Sequence, residues 1–150
     1  TVVLAHGTTR ADNEWPEADW VALGRRLAAG GFALALPQAG AAEQALASRI
    51  AGAIGEQATV WPALSLAGVL DHMAGAVGVV GVDSGLSHLA VALDVPHVQI
   101  FSQPRVWRAG PVGRPHQVPV GGDAAPGVDA VEQAWQAVWQ ARPAAAVQQP

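Results

Sequence analysis

Short apolar runs alternate with longer segments of helical period along nearly the whole chain, and nothing else in the sequence restricts the fold as much. The runs lie at Val2–Ala5, Phe32–Leu36, Ala58–Val60, Val77–Val82 and His97–Phe101. Strands buried on both faces read as such continuous runs, and strands separated by helices predict a parallel sheet wrapped by those helices. The segments between carry apolar residues at spacings of three and four. Trp20, Leu23 and Leu27 form one stripe, Leu46, Ile50 and Ile54 a second. Leu66, Val69, Leu70 and Met73 form a third, and Leu86, Leu89, Ala90 and Leu93 a fourth. Each stripe is read as core. A last helix over Val128–Ala141 places Val131, Trp135, Val138 and Trp139 on one face and ends before Pro143. The expected domain is 1–142, with 143–150 a frayed tail. Ser102–Asp123, rich in Pro and Gly, is expected to be a long surface connection.

Composition removes several function classes. Lys+Arg number 8 against Asp+Glu 12, for a net charge of −4. Lysine is absent, so a Walker-type phosphate loop is excluded, and the acidic balance with no basic cluster argues against nucleic acid. There is no cysteine, hence no disulfide framework or thiolate metal site, which fits a reducing compartment. No histidine pair has a metal-binding spacing and no paired carboxylates suggest a two-metal centre. No metal is expected. The spaced glycines of a dinucleotide fingerprint are missing, so NAD and FAD are not expected. The chain starts at Thr1 and its lone methionine is Met73, so an upstream segment is expected.

In open parallel sheets, ligands bind beyond the carboxyl ends of the strands. Of the loops there, Val82-Asp83-Ser84-Gly85-Leu86-Ser87-His88 is the most informative. Gly85 lets the backbone approach a ligand closely, and the first-turn amides with the hydroxyls of Ser84 and Ser87 make an anion site suited to a pyrophosphate. The competing reading is that Asp83 or Ser84 only caps the helix. His88, one turn in, points back toward the loop, although a lone histidine is more often structural. After the first strand, Thr8, Thr9 and Arg10 offer donors for phosphate or ribose oxygens, and Trp15 and Pro16 open the next helix. Glu43, at the start of the helix after the second strand, is placed to accept from a ribose hydroxyl, or is simply an acid favoured by the helix dipole. Trp107 and Arg108 either meet a ligand or pack against a neighbouring domain.

His6-x-Thr8-Thr9-Arg10-x-Asp12 followed by Trp15-Pro16, together with Val82-Asp83-Ser84-Gly85-Leu86-Ser87-His88, resembles the C-terminal domain of the lipopolysaccharide heptosyltransferases. Glu43 and Leu64-Ser65-Leu66-x-Gly68-Val69 fall at similar places, and the likeness runs from Thr1 to about Trp139. It implies a Rossmann-like parallel sheet flanked by helices, one half of a GT-B glycosyltransferase that moves heptose with inversion from ADP-heptose to the inner core, on Kdo-lipid A. It also implies a cytoplasmic protein, peripheral at the inner membrane, needing no cofactor. By the resemblance Thr8 and Thr9 contact the diphosphate and Glu43 the ribose, while Asp83, Ser84, Gly85 and His88 surround the diphosphate and heptose. Asn13 and Glu14 stand where such proteins often carry a lysine and Gln103 where they carry an aspartate, so Arg10 or Arg105 is expected to supply the cation. The general base belongs to the N-terminal domain, which also takes the lipid A-Kdo acceptor, so no catalytic residue is expected here. An apolar seam toward that domain is expected beside Trp15 and Trp107. Two alternatives stay open: another glycosyltransferase or a sugar-nucleotide epimerase with a different nucleotide, or a non-catalytic Rossmann-like interaction module.

Overall fold

The computed structural model describes residues 1–144, apart from the side chains of Trp107 and Arg108. Among these residues six strands form one parallel sheet in the order β3-β2-β1-β4-β5-β6. In chain order the elements are β1 (Val2–Ala5), α1 (Glu17–Ala29), β2 (Leu34–Leu36), α2 (Ala41–Ile54), β3 (Ala58–Val60) and α3 (Leu66–Ala74). Then come β4 (Gly78–Val82), α4 (Gly85–Ala92), β5 (His97–Phe101), α5 (Val106–Ala109), β6 (Gln117–Gly121) and α6 (Val128–Ala141). This is the doubly wound, Rossmann-like order, and it reverses between β1 and β4. The loops leaving those two adjacent strands turn to opposite faces and open a crevice.

The period of two in β1 shows how the layers are built. Val2 and Leu4 join the core under α1, α2 and α6, with Trp20, Leu23, Ile50, Val131 and Trp135. Val3 and Ala5 face the other way, toward Met73 of α3 and Ala90 of α4. A strand covered on both sides buries every residue, and β1, β4 and β5 do so.

Five expectations change. The second strand begins at Leu34 and not Phe32, because Phe32 turns to pack edge-on against Trp135 and Trp139, with ring centroids 5.5 and 5.0 Å away. The fourth begins at Gly78, one residue after Val77. The stretch 102–123 is no simple surface connection: it holds α5 and β6, and β6 pairs with β5 from His97↔Gln117 to Phe101↔Gly121. Pro119 hid that strand, since a residue without an N–H reads as a breaker; it is tolerated because β6 lies at the sheet edge. The amide of His97 bonds the carbonyl of His116, and that of Gly122 bonds Phe101, so the even-numbered residues of this region face β5 and the nitrogen of Pro119 faces outward.

Leu66 leaves the third stripe: it stands at the start of α3 and is 67% exposed. Trp15 is also not on a seam. It is 4% exposed, stacks edge-on with Trp20 at 4.9 Å and donates from Nε1 to the carbonyl of Pro126 at 2.9 Å. The indole needs a partner once buried, and the loop before α6 provides it. Trp107, the other half of the expected seam, and Arg108 have side chains outside the described set, and the expected tail lies outside it from residue 145 onward. No described helix is long and apolar enough to cross a membrane.

Candidate nucleotide-sugar site

A cleft of about 710 Å³ opens at the β1/β4 reversal. Nine of the residues named from the sequence, Thr8, Thr9, Arg10, Asn13, Glu43, Asp83, Ser84, Gly85 and His88, line it. They come from three loops that meet only because β2, β1 and β4 are neighbours.

The floor is the start of α4. Ser84 holds the N-cap position in extended conformation, yet its side chain accepts no capping bond, and its buried Oγ has no partner among the described residues. This removes the simple capping reading of Ser84. The first-turn amides of a helix have no partner inside the helix, so here they face the cleft uncapped. Gly85 follows, and a Cβ built there meets nothing within 4 Å. Ser87 does not join this site. It is fully buried and its Oγ donates to the carbonyl of Val82 at 2.6 Å, so the second hydroxyl expected of the anion site serves the strand-to-helix turn instead.

Asp83 is set deep, with its side chain 12% exposed. His88 Nε2 is 3.6 Å from Asp83 Oδ1, with the imidazole 56% exposed on the rim. Asn13 closes the gap between the two loops: its amide donates to the Asp83 carbonyl at 3.2 Å, and its Oδ1 accepts from Arg105 at 2.6 Å. Asn13 is therefore committed to the frame, with both ends of its amide already engaged.

The cations divide in the same way. Arg105 is 17% exposed and also bonds Asp12 at 2.9 Å. Arg10, 55% exposed and part of the cleft wall, reaches the same carboxylate only at 3.3 Å. The Arg10 and Arg105 guanidiniums hold the Asp12 carboxyl below its ordinary value. An arriving anion can draw Arg10 away while Asp12 keeps Arg105. Arg10 is thus the more exposed and more loosely held of the two cations, and Arg105 the strut behind it.

The lining also includes Glu43 and the apolar side chains of Leu64, Val69 and Leu89. Glu43 stands in the first turn of α2 and its carboxylate lies against Gly7 so closely that a Cβ there would collide with it. Thr8 Oγ1 accepts from the Arg10 amide at 3.2 Å and shapes the turn, while Thr9 stays exposed. A second cleft of about 700 Å³ lies behind Glu43, among His6, Trp15, Leu46 and Arg49.

The chain as a whole has known relatives. Residues 1–133 match the profile of glycosyltransferase family 9, heptosyltransferase. The chain belongs to this family. Over 122 residues it is 44% identical to lipopolysaccharide heptosyltransferase 1 of Pseudomonas aeruginosa, covering 81% of this chain and 34% of that protein. Over 99 residues it is 42% identical to the Escherichia coli K12 protein of the same name, covering 66% of this chain and 31% of that protein. The structure of E. coli heptosyltransferase WaaC with ADP aligns at a TM-score of 0.75 and 37% identity, over 93% of this chain and 42% of that one. WaaC with ADP-2-deoxy-2-fluoro heptose aligns at 0.71 and 37%, over 93% and 41%. The chain spans about a third of the length of the curated relatives it matches (34%).

Within this family 9 chain, sequence reasoning passed over Gln99 and left the part of Arg105 undecided. Gln99 sits in the middle of an apolar strand, and nothing local marks its partner. Arg105 lies in a loop whose path depends on the unforeseen β6.

Proposed function

We propose that residues 1–142 form the donor-binding domain of an inverting heptosyltransferase that uses ADP-heptose and builds the inner core on Kdo-lipid A. The observation that carries this is the uncapped start of α4, with Ser84 Oγ unpartnered and open space at Gly85, lining one cleft together with Arg10 and Glu43. A helix N-terminus with free amides and a movable arginine suits a diphosphate. Glu43 suits a ribose diol, and Leu64, Val69 and Leu89 suit the flat face of a base. The WaaC structures bound to ADP and to its fluoroheptose analogue share most of this chain's fold, which supports the same reading.

In the reaction the leaving ADP gathers negative charge as its bond to the sugar breaks. The first-turn amides of α4 and Arg10 stabilise that charge, an electrostatic role that requires no metal. Asp83 accepts from sugar hydroxyls and so orients the heptose. The base that deprotonates the acceptor, and the acceptor itself, are assigned to a facing N-terminal domain of a two-domain GT-B enzyme working peripherally at the cytoplasmic face of the inner membrane. A base must come within hydrogen-bond reach of the proton it removes, so residues 1–150 alone should give no heptosyl transfer.

Calorimetry with ADP, UDP and GDP tests the reading: ADP should bind best, and a preference for UDP would sink it. Turnover by the isolated chain would overturn the division of labour. His88→Ala should weaken donor binding by about 1.5–3 kcal/mol if the imidazole meets phosphate as a charged donor. Titration of the alanine variant with ADP checks this, and unchanged affinity would return His88 to a rim residue.

A further inference from the structure

Gln99 is an unusual residue for its place. It is fully buried in β5, a strand otherwise flanked by apolar layers, and its cross-strand neighbour in β4 is Gly81. Its side-chain amide spends both protons on acceptors, Asp83 Oδ1 at 3.3 Å and the carbonyl of Ala109 at 3.2 Å. Turning the amide over would set its oxygen against both of those oxygens, so the orientation is forced. The cost is visible, because Oε1 is left buried without a partner. Buried polar atoms normally have at least one partner, and an exception in a core strand calls for a reason.

The reason lies at the other end of the bond. Asp83 is nearly enclosed, and both contacts to its carboxylate, from Gln99 and from His88, fall on Oδ1. Among the described residues Oδ2 has no side-chain partner. The Gln99 amide replaces water on one oxygen and thereby fixes the rotation of the carboxylate, leaving the other oxygen to accept. The same side chain holds the last carbonyl of α5, whose first flank, Arg105, grips Asn13, which in turn bonds the Asp83 main chain. Residues 105–109 are therefore tied to Asp83 twice, once through its carboxylate and once through its backbone.

We infer that Gln99 is a positioning residue that aims Asp83 at the sugar of the nucleotide-sugar, and that through Ala109 it joins the α5 segment to that aim. The inference rests on the donor-site reading above. It separates two parts of one ligand: the diphosphate is held by α4 and Arg10, which Gln99 does not touch, whereas the sugar is held by Asp83, which it does.

The test uses the full-length protein carrying this chain, with ADP and the unreactive ADP-2-deoxy-2-fluoro heptose as probes. Gln99→Met keeps the volume and removes both donors. It should lower affinity for the fluoroheptose analogue at least tenfold while ADP affinity stays within threefold. Asp83→Ala should show the same split, and adding Gln99→Met to Asp83→Ala should change nothing more, since the two act as one unit. Should Gln99→Met not fold, Gln99→Thr is read the same way, a strand-compatible residue too short to reach Asp83. Parallel loss of both ligands, or unchanged affinity for both, would overturn the positioning role. Failure of the parent to bind ADP would remove the donor-site reading and this inference with it. If the parent binds ADP and only Gln99→Met behaves like the parent, the donor site stands and the Gln99 assignment falls.

Discussion

Replacing Gly85 with valine should reduce ADP binding more than a hundredfold and leave the fold in place. Gly85 is the first residue of α4, its backbone is not in the left-handed region, and a Cβ there touches no protein atom within 4 Å. The unliganded protein therefore accepts the side chain, at only the few tenths of a kcal/mol by which valine is a poorer helix former than most. The ligand does not. The branched carbons stand where a phosphate would approach the first-turn amides, and each hydrogen bond to a charged group is worth about 1.5–3 kcal/mol. Losing two of them exceeds a hundredfold. Titration calorimetry beside a thermal melt separates the outcomes, with Gly85→Ala as the graded intermediate. ADP affinity within threefold of the parent for the valine variant would mean that the phosphate lies elsewhere.

Stability should fall by about 3 kcal/mol as the pH drops from 6.5 to 4, and His97 is the main cause. Burial pushes its pKa from 6.5 down to about 4, offset only in part by the hydrogen bond to the Val79 carbonyl. The ring is neutral in the fold, with Nδ1 bonded to the Val79 carbonyl at 2.9 Å and Nε2 buried without a partner. Because the folded value is the lower one, the unfolded chain binds the extra proton first between these two values. The stability is complete above pH 6.5 and drains away below it, about 1.4 kcal/mol for each unit. Asp94, held below its ordinary range by His116 and Arg114, and Asp12 lose their contributions only below the usual aspartate value of 3.8. Their window is separate. Urea midpoints at pH 7.5, 6 and 4.5 should decline for the parent and flatten for His97→Asn. A parent midpoint constant between pH 7 and 4.5 would show that His97 stays hydrated in solution.

Much of this molecule could be read from its sequence because the relevant forces are local or periodic. β1, β3 and β5 match the apolar runs residue for residue, and α6 ends where Pro143 predicts. The cleft residues were legible because strand-to-helix turns in a doubly wound sheet all open at one edge. What escaped depended on tertiary partners. Ser87 looks in sequence like a second ligand hydroxyl, yet the helix turn rotates it onto Val82. Trp15 looks like an exposed aromatic at a helix start until Trp20 and Pro126 are seen to cover it. Leu66 satisfies the helical spacing but sits at the first position of α3, ahead of the part that meets the sheet. Gln99 and Arg105 act on residues 16 and 92 positions away, a separation that no window of sequence reveals.

Pro119 bears on how the protein behaves in a crowded solution. A free sheet rim offers alternating donors and acceptors on which a foreign strand can add, the first step toward fibrous aggregates. One rim here is β3, only 3 residues long. At the other rim the outward-facing nitrogen at the middle of β6 belongs to a proline, so an incoming strand meets a missing donor where it would register. The strand that the sequence conceals is thus also the one that keeps the sheet from growing past six.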